Sequence, residues 1–577
     1  MFKNENQRYC FVATRSEDLK NRLDLLDMHL VAKGVAGARY TYFFSNANVP
    51  DPAFTTVIND QEDYSVEETI QAVRSGRTPE HSYDSIISFG CLGERLFCCA
   101  ADFWGVNSHY WAENDETFCC SNDVFLVAGL QRSSLSRESL YEYLFFLAPM
   151  RARTWFEGVK TLRADQTLVY DLANHTLQLS EPTDLADELI YSPSGVMPLN
   201  ESIDRFFQGA KASIRDRKAM LCLSAGSDSR TVLSCLRRYG LHPMTYSFGR
   251  PDMWETHDIM KVVKKYDIPW ELVDLTGFEN DWEVLFREAS AWSNGLVNPF
   301  RVHYHAIYNR IPEETSLFEG ICGSEFVKGI EAIGAMVSSH HAWTIKGNHT
   351  IGEAIDSRFG FLESDFRSFM KEYLQDEFGD ELSDINTEKG LRRYQSFALE
   401  FVPSRAFAGL IQLSGRRHSV FFPFMSPGIL KSVFARRCGL AGGVDLRDDF
   451  VGYVKAIQIE AEIAKYADKE IFESMLDKNI SFEEATKKPA LAYVVIRKAR
   501  SLRKKLEYRN LFRGQVDVAQ MRERVRAFVA KKGISEQIEL SGSSQVDKCL
   551  KELANLAVVE DLAKYSLIGN RSDNQAT

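Results

Sequence analysis

Leu221-Cys222-Leu223-Ser224-Ala225-Gly226-Ser227-Asp228-Ser229-Arg230 is a short apolar run that breaks into small hydroxyl residues and then resumes as a helical pattern. Residues 219–223 are apolar enough for a buried parallel strand, and Thr231, Val232, Leu233, Cys235 and Leu236 suit a helix ending near Gly240. A turn of small residues between a strand end and a helix start makes an anion cradle. Ser224, Ala225 and Gly226 keep Cβ bulk low, so backbone N–H groups can approach a phosphate, and the helix N-terminus adds its partial positive charge. Ser227 and Ser229 add hydroxyl donors, while Asp228 can hold a cation that neutralises the phosphates. The plainer alternative is an ordinary Ser/Gly-rich turn. The Gly-Lys-Ser/Thr ending of the kinase-type phosphate loop is absent.

Downstream of this turn strands and helices alternate: strand 244–248, helix 256–266, strand 270–275, helix 281–293, a further helix near 303–311 and strand 316–321. That order specifies βαβ units and a parallel sheet, with ligands at the carboxyl ends of the strands. An amphipathic helix at 201–218 precedes the turn, with Ile203, Phe206, Phe207, Ala210 and Ile214 on one face. From about residue 350 the runs 354–378, 388–413 and 427–436 predict a helical C-terminal part. Upstream, residues 1–190 read mostly as strands, at 9–13, 85–89, 95–101, 117–122 and 124–128. One helix is expected at 138–147 after Ser136, then a hairpin of 158–162 and 167–171 about Arg163-Ala164-Asp165-Gln166. Residues 185–195 read as a linker.

The 577 residues exceed what one core accommodates, so two or three domains are expected. A net charge of −11 argues against a general nucleic-acid binder. The opening MFKNENQRYCFVATR has no apolar signal core and no 18-residue apolar run follows, which places the chain in the cytoplasm and away from membranes. Eleven cysteines without a CxxC pair fit neither a disulfide framework nor a zinc or iron–sulfur site, and read as small buried hydrophobes. His303 and His305, two apart on a helix, point to different faces and lack a third ligand. The basic stretch 497–532 is interleaved with Glu507 and Glu523 and reads as a solvated helix face rather than a surface for RNA or an acidic peptide.

Residues 224–229 resemble the SGGxDS pyrophosphate loop of the ATP pyrophosphatase superfamily, in the SxGxDSR form of its asparagine-synthetase-type branch. Phe318-Glu319-Gly320-Ile321-Cys322-Gly323-Ser324-Glu325-Phe326 resembles that family's second acidic motif, SGxGxDE. Aligning Gly323 puts Glu325 on the magnesium-binding Asp, so the resemblance implies that Asp228 and Glu325 hold metal and triphosphate between them. Cys322 falls where asparagine synthetases have Glu and β-lactam synthetases have Tyr. Tyr246-Ser247-Phe248-Gly249 looks like the F-S-V-G segment beside the adenosine, which makes Ser247 and Gly249 nucleotide contacts through backbone groups. Phe422-Pro423-Phe424-Met425 looks like a weakened R-x-PFLD stretch. Residues 475–481 occupy the region of the family's RxKxxF lysine, with Lys478 the choice and Lys487 and Lys488 its rivals.

Ahead of the loop, Ala101-Asp102-Phe103-Trp104-Gly105 with His109-Tyr110-Trp111 looks like the RDxxG…LYY stretch of the glutamine amidotransferase domain that fronts asparagine synthetases. Residues 118–123 look like its FSSE/D strand, and the hairpin like its I-x-x-L-x-P-G element, with Ala164-Asp165 where Pro-Gly would be. Active members attack glutamine with an N-terminal Cys whose α-amine serves as base. Here residue 2 is Phe, the NGE glutamine-binding stretch is missing, and Cys10 would need residues 1–9 removed. The expectation is a retained scaffold without glutaminase activity.

The resemblance implies an α/β fold: an N-terminal Ntn-type αββα sandwich over 1–190, a parallel-sheet PP-loop (adenine nucleotide α-hydrolase-like) domain with a helical C-terminal part over 198–545, and a C-terminal helix and partly disordered tail over 546–577. It implies an ATP-dependent, AMP-forming ligase that adenylates a carboxylate and passes the acyl group to an amine. ATP and Mg2+ are the implied cofactors. The nucleotide would lie on Leu223, Ser224, Ala225, Gly226, Ser227, Asp228, Ser229, Ser247, Gly249 and Gly323, with Lys478, Cys322 and Glu325 in catalytic roles. A small-molecule or peptide carboxylate and an amine donor are the expected partners, with a homodimer left open. Two other readings stand beside it: a glutamine-hydrolysing amidotransferase using Cys10, and a non-catalytic nucleotide-binding scaffold.

Overall fold

The computed structural model describes residues 8–23, 28–36, 39–45, 53–58, 86–93, 95–107, 109–215, 217–328, 350–360, 362, 364–380, 387–436, 439–442, 450–474, 481–487, 499–500, 517–532 and 550–566. Its first part holds β1 (Tyr9–Thr14), β2 (His29–Ala36), β3 (Arg39–Ser45), β4 (Ala53–Ile58), β5 (Ile86–Leu92), β6 (Leu96–Ala100), β7 (Tyr110–Glu113), β8 (Thr117–Ser121), β9 (Lys160–Thr161), β10 (Thr167–Asp171) and β11 (Thr176–Leu179). They form two antiparallel sheets, β2-β3-β1-β8-β7-β9 and β11-β10-β6-β5-β4. Alternation along the strands decides what each face meets. Phe11 and Phe118 of the first sheet stack on Phe97 and Tyr170 of the second, both at 4.3 Å between ring centres. Cys10, Val12 and Cys119 face the other way, into a cluster with Val124, Val127 and Ala128.

Two expectations are corrected here. Residues 124–128 are not a strand but the start of a helix, Val124–Gln131, because Asp123 accepts hydrogen bonds from the Phe125 and Leu126 N–H groups and caps it. A short apolar run carries no period that separates strand from buried helix. The second error is the hairpin: β9 pairs with β7 in one sheet and β10 with β6 in the other, so the turn at 163–166 crosses between sheets. Asp165 takes a positive φ of 55° there, and its N–H donates to Asp102 O. The expected helix after Ser136 is Arg137–Phe146, with Ser136 as its N-cap. The expected linker is not loose, since Leu185, Ala186 and Leu189 are buried around the helical turn Asp187–Tyr191.

The second part contains a parallel sheet of β12 (Lys218–Cys222), β13 (Met244–Gly249), β14 (Trp270–Asp274), β15 (Thr315–Phe318) and β16 (Ser419–Phe421), in the order β14-β13-β12-β15-β16. The chain steps from β12 out to β13 and β14, then returns to the opposite side of β12 with β15. Strand order therefore reverses between β12 and β15, which is where a doubly wound sheet opens a crevice at its carboxyl edge. The segments that follow those two strands are the two motifs singled out in the sequence.

Helices Ile351–Phe359, Ser364–Phe378, Glu388–Phe401, Ala408–Gly415, Pro427–Phe434 and Phe450–Ala467 build the later part. The run expected at 388–413 is interrupted at Val402–Ala406, where Pro403 removes a backbone donor. Within the basic stretch, the helix Val518–Lys532 buries Met521, Val525, Phe528 and Val529, with Phe528 edge-on to Trp282 and Phe286. The helix Leu550–Ser566 packs on Val124–Gln131, so this late helix returns to the first part. No helix of the described residues is long and apolar enough to cross a membrane.

The two parts are locked together by a buried indole and a half-buried ion pair. Trp104 is fully buried, donates from Nε1 to Met425 O at 2.9 Å and stacks on Phe326 at 5.6 Å. Arg163 forms a two-pronged pair with Glu400 at 2.9 and 2.8 Å. Trp104→Ala removes a large interface side chain and orphans the Met425 carbonyl, and is expected to cost about 3–5 kcal/mol. Urea unfolding checks this: the midpoint should fall with little change in slope.

Candidate functional site

The turn after β12 is shaped by its own hydroxyls. Ser229 Oγ accepts from the Ser224 N–H and lies 3.0 Å from Ser224 Oγ, which in turn accepts from the Gly226 N–H at 3.1 Å. The Ala225 N–H donates to Glu255 Oε1 at 3.3 Å. A carboxylate oxygen thus already rests on a backbone donor of the cradle. The helix Ser227–Arg238 begins at Gly226 without a side-chain cap, leaving its first N–H groups for another acceptor. Leu223 is fixed from behind, its N–H donating to Tyr246 O and its carbonyl accepting from Ser247 Oγ at 2.6 Å.

The segment after β15 closes on this helix start. A Cβ on Gly323 would lie 2.3 Å from Asp228 Oδ1, and one on Gly320 would lie 2.9 Å from Asp228 Cβ, so both positions need glycine for the approach. Ser324 Oγ donates to Asp228 Oδ2 at 3.1 Å. Lys328 Nζ lies 3.1 Å from each Asp228 carboxylate oxygen, 3.0 Å from Ser227 Oγ and 3.7 Å from Glu460 Oε2. Glu460 comes from Phe450–Ala467, which packs along the loop helix. Burial alone would raise the Asp228 carboxyl, but the Lys328 charge and hydrogen bonds around it bring it below its ordinary value. Burial, reinforced by the Asp228 charge, pushes Glu460 well above the carboxylate range.

Asp228 Oδ1 and both Glu460 carboxyl oxygens are buried without a hydrogen-bond partner. With Glu460 ionised, the two acids beside a single ammonium would suit a small divalent cation, although Lys328 already stands 3.1 Å from Asp228 Oδ1. Among the described residues no group of three or more His, Cys, Asp and Glu side chains converges on a metal, so protein ligands alone do not complete such a shell. Such a shell would need oxygens from a ligand to complete it.

Of the expected residues, Leu223, Ser224, Ala225, Gly226, Ser227, Asp228, Ser229 and Gly323 fall together. Glu325 is buried on the helical turn Gly323–Val327, one residue beyond Ser324, and its charge and that of Asp228 both bear on the Cys322 thiol. Yet the acid that shares Lys328 with Asp228 is Glu460. Burial, with those two charges, pushes the Cys322 thiol far up, which makes a poor nucleophile. Ser247 spends its hydroxyl inside the sheet, between Leu223 O and the Trp270 Nε1–H. Gly249, at a φ of 134°, accepts from the Leu275 N–H. Lys478 and Lys488 lie outside the described residues, while Lys487 is exposed and paired with Glu483. His303 packs among Phe248, Phe278 and Tyr304, whereas His305 faces Glu288 at 3.2 Å. Lys328, Ser324 and Glu460 were missed; Lys328 has a local cue in its closeness to Gly323, and Glu460 has none.

Beside the crevice, Cys222, Tyr246 and Glu319 belong to neighbouring strand ends. Glu319 is buried, accepts from Tyr308 Oη at 2.9 Å and Tyr246 Oη at 3.5 Å, and is pushed up to about 7 by burial. In the N-terminal part Cys10 is fully buried in mid-strand, and burial raises its thiol well above the ordinary range. A scan against protein-family models finds none that matches this chain, and a search of curated proteins finds no matching one.

Glu319 carries a signature in stability. Its folded-state value is raised, so the folded chain holds a proton that the unfolded chain releases above about pH 4.5. Its contribution to stability therefore falls between there and about pH 7, by up to ~1.4 kcal/mol per unit. Glu319→Gln should be more stable than the native protein above pH 7, with the gap closing toward pH 4.5. Denaturant melts across that range measure it.

Proposed function

We propose that this chain is an ATP-dependent, AMP-forming ligase that activates a carboxylate and joins it to an amine. The observation that carries the reading is the meeting, at the point where strand order reverses, of an uncapped small-residue helix start with a glycine-bearing acidic segment around the half-buried Asp228. On this reading the two-sheet part is an Ntn-type sandwich and the parallel sheet an asparagine-synthetase-like PP-loop domain, working in the cytoplasm.

The backbone N–H groups at the loop helix start, with Ser224, Ser227 and Ser229, hold the pyrophosphate end of ATP, displacing the Glu255 carboxylate from Ala225. Asp228, together with Glu460 or Glu325, would hold a Mg2+ ion that offsets the triphosphate charge. The substrate carboxylate attacks the α-phosphorus and the bond to pyrophosphate breaks, giving an acyl-adenylate. The amine then attacks the acyl carbon, AMP leaves, and the amine's proton passes to solvent. Lys478, which lies outside the described residues, would act near the α-phosphate on this reading. The buried Cys10 supports an amine source other than glutamine hydrolysed by this chain.

ATP–pyrophosphate exchange with panels of carboxylic acids tests the proposal. Exchange that depends on the acid, with AMP as product, is expected. Asp228→Ala should lower it by about 10²-fold or more. Absence of exchange with every acid, together with no ATP binding, overturns the reading.

A further inference from the structure

We infer that Lys328 is the cation that meets the pyrophosphate end of the ligand, and that Glu460 is the residue that positions it. This rests on the nucleotide reading above and names a side chain that the loop motif does not contain. Lys328 directly follows Gly323–Val327, and only 8% of its side chain is exposed. Its Nζ lies 3.0 Å from the hydroxyl of Ser227, the first residue of the loop helix, so the ammonium stands at the turn that carries the uncapped N–H groups.

A lysine needed only to neutralise Asp228 has no use for a second acid. Glu460 is fully buried, and burying an acid costs several kcal/mol unless it is compensated. Two acids on one ammonium do something else: they grip a point charge on a flexible four-carbon stem from two sides and fix it over Ser227. The Glu460 oxygens left without hydrogen bonds lie beside the ion pair, so the cluster has acceptors to spare. Such a cluster admits a cation that arrives with the ligand, and Lys328 then exchanges an Asp228 contact for a phosphate oxygen while staying on Ser227. A fixed ammonium beside backbone N–H groups is a recognition element for a polyphosphate, and contributes nothing to a nucleoside monophosphate held only by its base and sugar.

Titration calorimetry with inorganic pyrophosphate, ATP and AMP, each with and without Mg2+, tests the assignment. Lys328→Met should weaken pyrophosphate and ATP about tenfold or more, the loss of one charge-assisted contact, and change AMP binding less than about threefold. Lys328→Arg should recover part of the loss. Glu460→Gln should weaken pyrophosphate and ATP while leaving AMP unchanged, a split that a merely structural role would not produce. The double variant Lys328→Met/Glu460→Gln leaves no buried acid without its partner lysine, and should lose pyrophosphate affinity as the single variant does while melting near the native temperature. If wild type binds ATP, and Lys328→Met and the double variant bind pyrophosphate as tightly as it does, the lysine assignment falls alone. If wild type binds neither pyrophosphate nor ATP, the loop reading falls and takes this assignment with it.

Discussion

The compensation of one buried charge governs the arrangement at the carboxyl edge of the parallel sheet. Asp228 lies in the first turn of the loop helix, where the helix field favours an anion, but its carboxylate is pressed against Gly320 and Gly323 and shielded from much of the solvent. An uncompensated carboxylate there would cost more than the local fold returns. Lys328, Ser324 and the helix N-terminus supply the compensation, and two of the three come from the strand that returns to the far side of β12. The charge therefore ties the order of the sheet to the geometry of the site. β15 has to lie beside β12, because no other strand end can bring Ser324 and Lys328 to Asp228.

The same requirement explains two features that look unfavourable locally. Cys322 holds a left-handed backbone at a φ of 68°, a strained choice for a residue with a side chain. It turns the chain sharply after β15 so that Gly323 can touch Asp228, and the thiol is buried as a consequence. Glu460 is the second feature, an acid with no exposure on a helix whose other described buried side chains, Ile457, Ile459 and Ile463 among them, are apolar. Its burial makes sense only against Lys328, and so the helix Phe450–Ala467 is held in register along the loop helix by charge as well as by packing.

The parallel sheet was legible in the sequence because a strand buried on both faces leaves a dense apolar run, and the helices between leave a 3.6-residue period. The turn at 224–226 was legible because small hydroxyl residues break the apolar run of β12 before the helical pattern resumes. Where no period exists the reading failed: Val124–Gln131 is apolar all round and was taken for a strand, although Asp123 marked its start. The false hairpin failed for another reason. Its two strands are close in sequence and have a turn between them, yet which sheet each joins is decided by β7 and β6, far outside any local window. Within the site, residues on the two motifs could be placed by spacing. Glu460 could not, since a single acid on a long helix looks the same whether it faces water or a lysine.

The N-terminal part acts on the site through shape. Its polar centre is saturated: His109 meets Tyr9 Oη at 2.6 Å, Ser88 Oγ at 3.0 Å and Ala100 O at 3.0 Å, and burial pushes it down to about 3, so the ring is neutral. Between the sheets the imidazole is neutral and fully engaged, and burial raises the Cys99 thiol well above its ordinary range; Cys10 faces the other way, into the cluster under the helix Val124–Gln131. What this part does deliver is Trp104, held by a turn in which Asp102 accepts from the N–H groups of Trp104, Val106 and Asn107. The indole lies flat on Phe326, the residue after Glu325, and pins the Met425 carbonyl at the same time. Because Phe326 shares a helical turn of five residues with Ser324, a rigid indole on one side restrains the hydroxyl that faces Asp228 on the other. The front of the chain thus stiffens, by packing, the segment on which the compensation of Asp228 depends.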